Sequence, residues 1–246
     1  MATNEGNSAP HIMSAYEDEL EQLNNLVLEM GGRIEIQLSG AIRAMVKRDS
    51  DSAEDLIAQD REVDAIEERI NDLAVRTLAL RQPMAGDLRI IVSVIKIAGD
   101  LERFGDYAKN IAKRTLVVNQ SPPIRATSSI PRMAELVQRM LDGVLKAFIN
   151  RDAEMAKAIW VQDAEVDESY NSLFRELLTY MMEDPRNISA ATHLLFVAKN
   201  IERMGDLVTN VAETIHFVAE GERMEQERPK RDMTSLTDVP MTEENA

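Results

Sequence analysis

The chain has 246 residues, 44% of them hydrophobic and 4% aromatic, with 10 Gly, 8 Pro and no Cys. That is enough apolar material for a core, which excludes wholesale disorder, and too little glycine and proline for a barrel or sandwich of many short strands. The absence of cysteine removes disulfides, thiolate metal sites and a cysteine nucleophile, while 28 Lys and Arg against 43 Asp and Glu, net −15, argue against nucleic acid and for a cation or a basic protein surface as partner.

Residues 1–13 read as a polar, disordered leader without the basic and apolar regions of a signal peptide. The longest strongly apolar stretch, Ile90 to Ile95, is interrupted by Ser93 and closed by Lys96, far short of the roughly 20 residues of a bilayer span. A soluble, cytoplasmic protein is expected. Apolar spacing then predicts six long antiparallel helices near 14–48, 52–81, 86–118, 130–150, 153–183 and 188–220. Ser14 and Glu17 form a capping box for the first. Asp51 or Ser52, Asp87, Asp152 and Asn187 are N-cap candidates for later ones. Gly31-Gly32 falls inside the first helix, where each glycine costs about 1 kcal/mol relative to alanine, so a kink or a close helix contact is expected there. Pro122-Pro123 breaks the pattern within a linker at 119–129, and 222–246 reads as a charged, disordered tail.

The halves on either side of that linker are copies of one another. With a shift of 103 residues, 41–64 overlies 144–167 with nine identities in 24 positions, among them Arg48, Asp49, Asp60, Val63 and Asp64. With a shift of 100, 98–112 overlies 198–212 with seven in 15, among them Glu102, Arg103, Gly105, Asp106 and Asn110. The fold class is therefore all-α: two tandem, homologous three-helix bundles, 14–118 and 130–221.

The shared positions include acidic pairs four residues apart: Asp60/Asp64 and Glu102/Asp106 in the first copy, Asp163/Asp167 and Glu202/Asp206 in the second. Such pairs share a helix face, and their like charges repel. Each pair borders an apolar stripe, so adjacent second and third helices would bring four carboxylates to one groove. Such a groove is a hard-oxygen site for Mg²⁺, Ca²⁺, Mn²⁺ or iron. Asn110 and Asn210 offer neutral oxygens a turn further on, and Arg103 and Arg203 point toward solvent. Other chemistry is thin. Glu213-x-x-His216 has di-iron spacing, but the first copy has Lys113 and Leu116 there. His193 and His11 have no evident partner. There is no P-loop, nucleophile elbow or zinc-protease motif, and no glycine-rich nest or arginine cluster for phosphate itself.

Asp-Leu-Glu-Arg-Phe-Gly-Asp at 100–106 and Asn-Ile-Glu-Arg-Met-Gly-Asp at 200–206 resemble the PhoU family of bacterial phosphate-signalling regulators. So do Met30-Gly31-Gly32, Arg81-Gln82-Pro83, Asp87-Leu88-Arg89 and the segment from Leu178 to Asp184. The resemblance spans about 14–220. It implies two three-helix bundles side by side, a homodimer, no enzymatic activity, and metal clusters held by the acidic motifs. Iron or zinc comes first, with magnesium or manganese as alternatives. It also implies a negative regulator of the phosphate regulon that links the transporter ATPase PstB to the sensor kinase PhoR, reaching membrane complexes only through proteins. Carried onto this sequence, the metal candidates are Asp60, Asp64, Glu102, Asp106, Asp163, Asp167, Glu202 and Asp206. Asn200 stands where the first copy has Asp100, so an acidic ligand at that position exists in one copy only. Metal storage, or oxidation chemistry at a carboxylate-bridged iron, is the alternative function; missing paired histidines weigh against the latter.

Overall fold

The computed structural model describes residues 9–124 and 128–224. In chain order the helices are α1 (Ala9–Lys47), α2 (Ser50–Gln59), α3 (Arg61–Arg81), α4 (Ala85–Val118), α5 (Ser129–Asn150), α6 (Ala153–Glu183) and α7 (Ile188–Glu220), with a short 3₁₀ turn at Pro185–Asn187. The all-α architecture and the two three-helix units are as read from the sequence. The first unit packs α1, α2–α3 and α4 together, and the second packs α5, α6 and α7. No described helix is long and apolar enough to cross a membrane.

Several boundaries differ from expectation. The helix placed at 52–81 is two segments separated by the single residue Asp60, which is itself right-handed helical (φ −55°, ψ −33°). α1 starts at Ala9, five residues before Ser14, so the Ser14–Glu17 pair lies inside the helix and the leader is shorter than 1–13. Leader residues 1–8, linker residues 125–127 and tail residues 225–246 lie outside the described residues. The cap of α2 is Asp49, whose carboxylate accepts from the Ser52 amide, rather than Asp51 or Ser52. Met84, not Asp87, precedes α4, and Asn187 precedes α7 without a side-chain cap. Asp152 caps α6 as expected, accepting from the Met155 amide.

The duplicated Arg-Asp pairs have a structural cause. Arg48 and Arg151 both take left-handed backbone, φ 57° and 51°. Each ends a helix in a Schellman turn: Asp49 N–H donates to Ala44 C=O at 2.9 Å, and Asp152 N–H to Ala147 C=O at 3.0 Å. The following aspartate then caps the next helix, so two residues stop one helix and start another.

One continuous core runs through both units, from Leu23, Ile34, Phe104 and Ile111 to Ile130, Val144, Leu173 and Ile201. The units meet along α1·α5 and α4·α7. At the first seam a methyl on Gly31 would lie 2.6 Å from a Leu145 methyl, so the glycine is a close helix contact, as its position predicted; Gly32 faces open space. At the second, α4 and α7 cross antiparallel: Arg114 lies over Phe196 at 4.1 Å, Arg203 over Tyr107 at 5.9 Å, and Arg89 over Phe217 at 5.5 Å. Asp100 faces Asn210 across the same seam; burial, the largest influence, raises its pKa, and Lys96 and Arg103 partly offset that.

Candidate functional site: two carboxylate clusters

In the first unit Asp60, at the α2–α3 junction, is buried at 4% exposure. Its carboxylate accepts from the Lys109 ammonium, which also donates to Asp106 three residues earlier on α4. The lysine thus ties α3 to α4 through two carboxylates. Burial opposes its charge, but Asp106 and Asp60 outweigh that and hold its pKa above the ordinary lysine value. Glu102, half-buried one turn before Asp106, has its pKa raised by burial and then by Asp106, Asp64, Glu67 and Asp60. Asp64 lies at the exposed edge and is raised by burial and by Asp60, against the pull of Lys109. The structure therefore gathers the four first-copy carboxylates in one field and adds Glu67.

Those raised values carry a sign. The folded state holds the Glu102 proton more tightly than the unfolded chain does. Stability therefore falls as pH rises from the unfolded carboxylate value to the raised folded one, and stays level above it. In metal-free protein Glu102→Gln is accordingly expected to melt higher than the parent at pH 7, with the difference closing as pH approaches about 4. Paired melting curves in chelator check this; a glutamine variant that melts lower at pH 7 would remove the repulsion argument.

The second cluster is sunk deeper. Asp163 is 1% exposed, Asp167 2% and Glu202 5%, with Asp206 half-buried. Here the lysine arrives from the other side: Lys199 Nζ is 2.8 Å from Glu202 Oε1 and lies 4.9 Å from the Tyr170 ring centre. The sequence shift explains the difference. Lys109 corresponds to Thr209, Lys199 to Gly99, and Glu67 to Tyr170, so an aromatic ring replaces the fifth carboxylate and the lysine moves from one flank of the motif to the other. The glycine of each Glu-Arg-x-Gly-Asp motif is where the helices close up: a methyl on Gly105 would lie 3.2 Å from Gln37 Oε1, and one on Gly205 2.7 Å from Asp163 Oδ1.

Sequence reasoning missed both lysines beside these carboxylates, because neither falls on an identical position of the repeat. Glu213 is committed elsewhere, accepting from Trp160 Nε1 at 3.0 Å, and His216 Nδ1 sits 3.3 Å from the Glu222 carbonyl oxygen; they do not form a di-iron pair. His193 does have a neighbour, Arg114 Nη1 at 3.3 Å; burial and that cation lower its pKa. Arg103 and Arg203 are exposed, as expected.

Carboxylate oxygens suit hard and borderline cations, and the Lys109 ammonium shows a cation held between Asp60 and Asp106. Among the described residues, however, no three acidic or histidine side chains converge on one point as a ready-made metal cage. The donor types fit a metal; the preformed geometry in the first unit is that of an ammonium.

Comparison with known proteins places this architecture. The family model for the PhoU domain matches twice, at residues 27–115 and 130–215. The chain belongs to the PhoU family. A PhoU homolog from Caulobacter vibrioides strain NA1000, named a phosphate-specific transport system accessory protein, is 50% identical over 226 residues, covering 92% of this chain and 98% of that one. The Rhizobium meliloti strain 1021 homolog of the same name is 49% identical over 93% of this chain and 97% of its own. Among solved structures, PhoU from Pseudomonas aeruginosa matches with a TM-score of 0.81 at 36% identity, covering 84% of this chain and all of that one. The phosphate transport system regulatory protein PhoU from Streptococcus pneumoniae matches with a TM-score of 0.80 at 28% identity, covering 86% of this chain and all of that one. The two PhoU matches fall on the two structural units, and each contains one carboxylate cluster.

Proposed function

We propose that the chain is a non-enzymatic, cytoplasmic negative regulator of phosphate uptake and of the phosphate-starvation response. It acts as a homodimeric adaptor between the phosphate transporter ATPase PstB and the sensor kinase PhoR. The observation that carries this reading is near-full-length kinship, at about half identity, with accessory proteins of phosphate-specific transport systems. The net charge of −15 supports docking on basic partner surfaces. Residue types support a cation role for the clusters: a bound iron, zinc, manganese or magnesium ion would neutralise the like charges of Asp60, Asp64, Glu102 and Asp106, or of Asp163, Asp167, Glu202 and Asp206. An adaptor of this kind biases a kinase only by binding its two states with different affinity. The oxidation alternative loses support, since Glu213 is tied to Trp160.

The test is deletion of the gene with a phosphate-starvation reporter in phosphate-rich medium. Expected is derepression on deletion, repression restored by the native protein, and failure of a folded Glu102→Gln, Asp106→Asn, Glu202→Gln, Asp206→Asn variant to restore it. A reporter that stays silent on deletion, in a strain with no second copy, would end the regulatory reading. Full complementation by the variant would detach the clusters from signalling.

A further inference from the structure

The two clusters share four carboxylate positions but are neutralised differently: Lys109 lies between Asp60 and Asp106 in the first, whereas Lys199 pairs with Glu202 in the second. In the first unit the Lys109 ammonium touches both a buried carboxylate on one helix and a half-buried one on the next: Asp60 at 6% side-chain exposure and Asp106 at 43%. The lysine itself is 22% exposed, so it is a held counter-charge rather than a surface pair screened by water. In the second unit position 209 is threonine, whose hydroxyl donates back to the Asp206 carbonyl at 2.7 Å and supplies no charge.

We propose that Lys109 is the resident cation of the first cluster, competing with divalent metal for Asp60 and Asp106, so that metal enters this unit only by displacing a lysine. The inference rests on the carboxylate clusters being cation sites, and adds what regulates one of them. An ammonium and a divalent ion cannot share the space between those two carboxylates, because both need the same oxygens and they repel one another. Asp60 accepts from Lys109 without capping α3 through its side chain, so its oxygen stays available once the lysine swings out. A lysine stem with four rotatable carbons on an accessible helix face can make that movement. Metal occupancy in the first unit is then coupled to a side-chain switch on α4, the helix that also forms the seam with α7.

The experiment uses full-length, chelator-stripped protein titrated with Mn²⁺ by calorimetry, in a Glu202→Gln, Asp206→Asn background that weakens the second cluster. Lys109→Met is expected to bind Mn²⁺ roughly tenfold tighter than its parent, and adding Asp60→Asn is expected to abolish the gain. Lys109→Met leaves the carboxylates facing one another without a counter-charge, so it should melt lower in chelator and be rescued by Mn²⁺ more than the parent is. Lys109→Gln should behave in the same direction and serves if the methionine variant does not fold. Equal Mn²⁺ affinity with and without Lys109 overturns the competition while leaving the metal reading intact. No Mn²⁺, Fe²⁺ or Zn²⁺ binding by any variant, nor by the native protein, overturns both.

Discussion

Replacing Gly205 is expected to destabilise the second unit more than any change at the other motif glycine. A β-carbon at Gly205 would stand 2.7 Å from Asp163 Oδ1 and 3.4 Å from a Val166 methyl. Asp163 is 1% exposed on α6, so either its carboxylate turns within a packed wall or α6 and α7 separate. Overpacking of this kind costs about 1–3 kcal/mol. Alanine recovers part of that through helix propensity, about 1 kcal/mol, and valine adds two further methyls and recovers less. Gly205→Val is therefore expected to lose about 3 kcal/mol and Gly205→Ala about 0–2. Gly105→Ala, whose nearest neighbour would be at 3.2 Å, should lose less. Gly99→Ala and Gly32→Ala, which meet nothing within 4 Å, should gain up to about 1 kcal/mol. Urea midpoints at unchanged m-value give the series. Gly205→Val as stable as the parent would mean that α6 and α7 do not approach as closely as described. The same clash would move Asp163, so on the proposed cation role any metal affinity of the second unit would fall together with its stability.

The outcome bears on what was legible in the sequence. The repeat was visible because its identities are structural necessities: Gly105 and Gly205 permit helix contact, Arg48-Asp49 and Arg151-Asp152 make turns, and Asp60 and Asp163 sit buried against the third helix. Helical periodicity, read from the stripe Val63, Ile66, Ile70, Leu73 and Leu80, gave the long element because Val63, Ile66 and Ile70 are buried, although Leu73 is half-buried and Leu80 is exposed. The break at Asp60 was not legible, since Gln59-Asp60 and Gln162-Asp163 are identical and only the second runs on through unbroken helix. The lysines were invisible for the opposite reason: each is unique to its copy, and comparing copies reports only what they share. Depth was also hidden. Nothing in an i,i+4 acidic pair says that Asp167 is sealed while Asp64 is open; packing of Tyr170 in place of Glu67 accompanies that difference.

The turn that ends α1 offers the second large effect, because its duplicate is a built-in control. Arg48 and Arg151 share a left-handed backbone, yet only Arg48 also uses its side chain. Its Nη2 donates to the carbonyls of Val118 at 3.4 Å, Asn119 at 2.7 Å and Ser121 at 2.5 Å, gathering the end of α4 and the start of the linker onto the end of α1. Asn119 adds a bond to Ser50 Oγ at 3.0 Å. A charged donor on carbonyls contributes about 1.5–3 kcal/mol, so Arg48→Ala is expected to lose about 2 kcal/mol, which for a chain of this size lowers Tm by roughly 4–8 °C. Arg151 is exposed and has no such carbonyls to hold. Arg151→Ala should stay within about 0.5 kcal/mol, and Arg151→Gly should gain slightly, since glycine takes positive φ without the β-carbon penalty. Alanine keeps a β-carbon at both sites, so the difference between Arg48→Ala and Arg151→Ala isolates the guanidinium from the backbone. Equal losses at the two positions would assign the effect to the turn and leave the linker unclasped; a loss confined to Arg48 makes that side chain the fastening between the first unit and the segment that leads to the second.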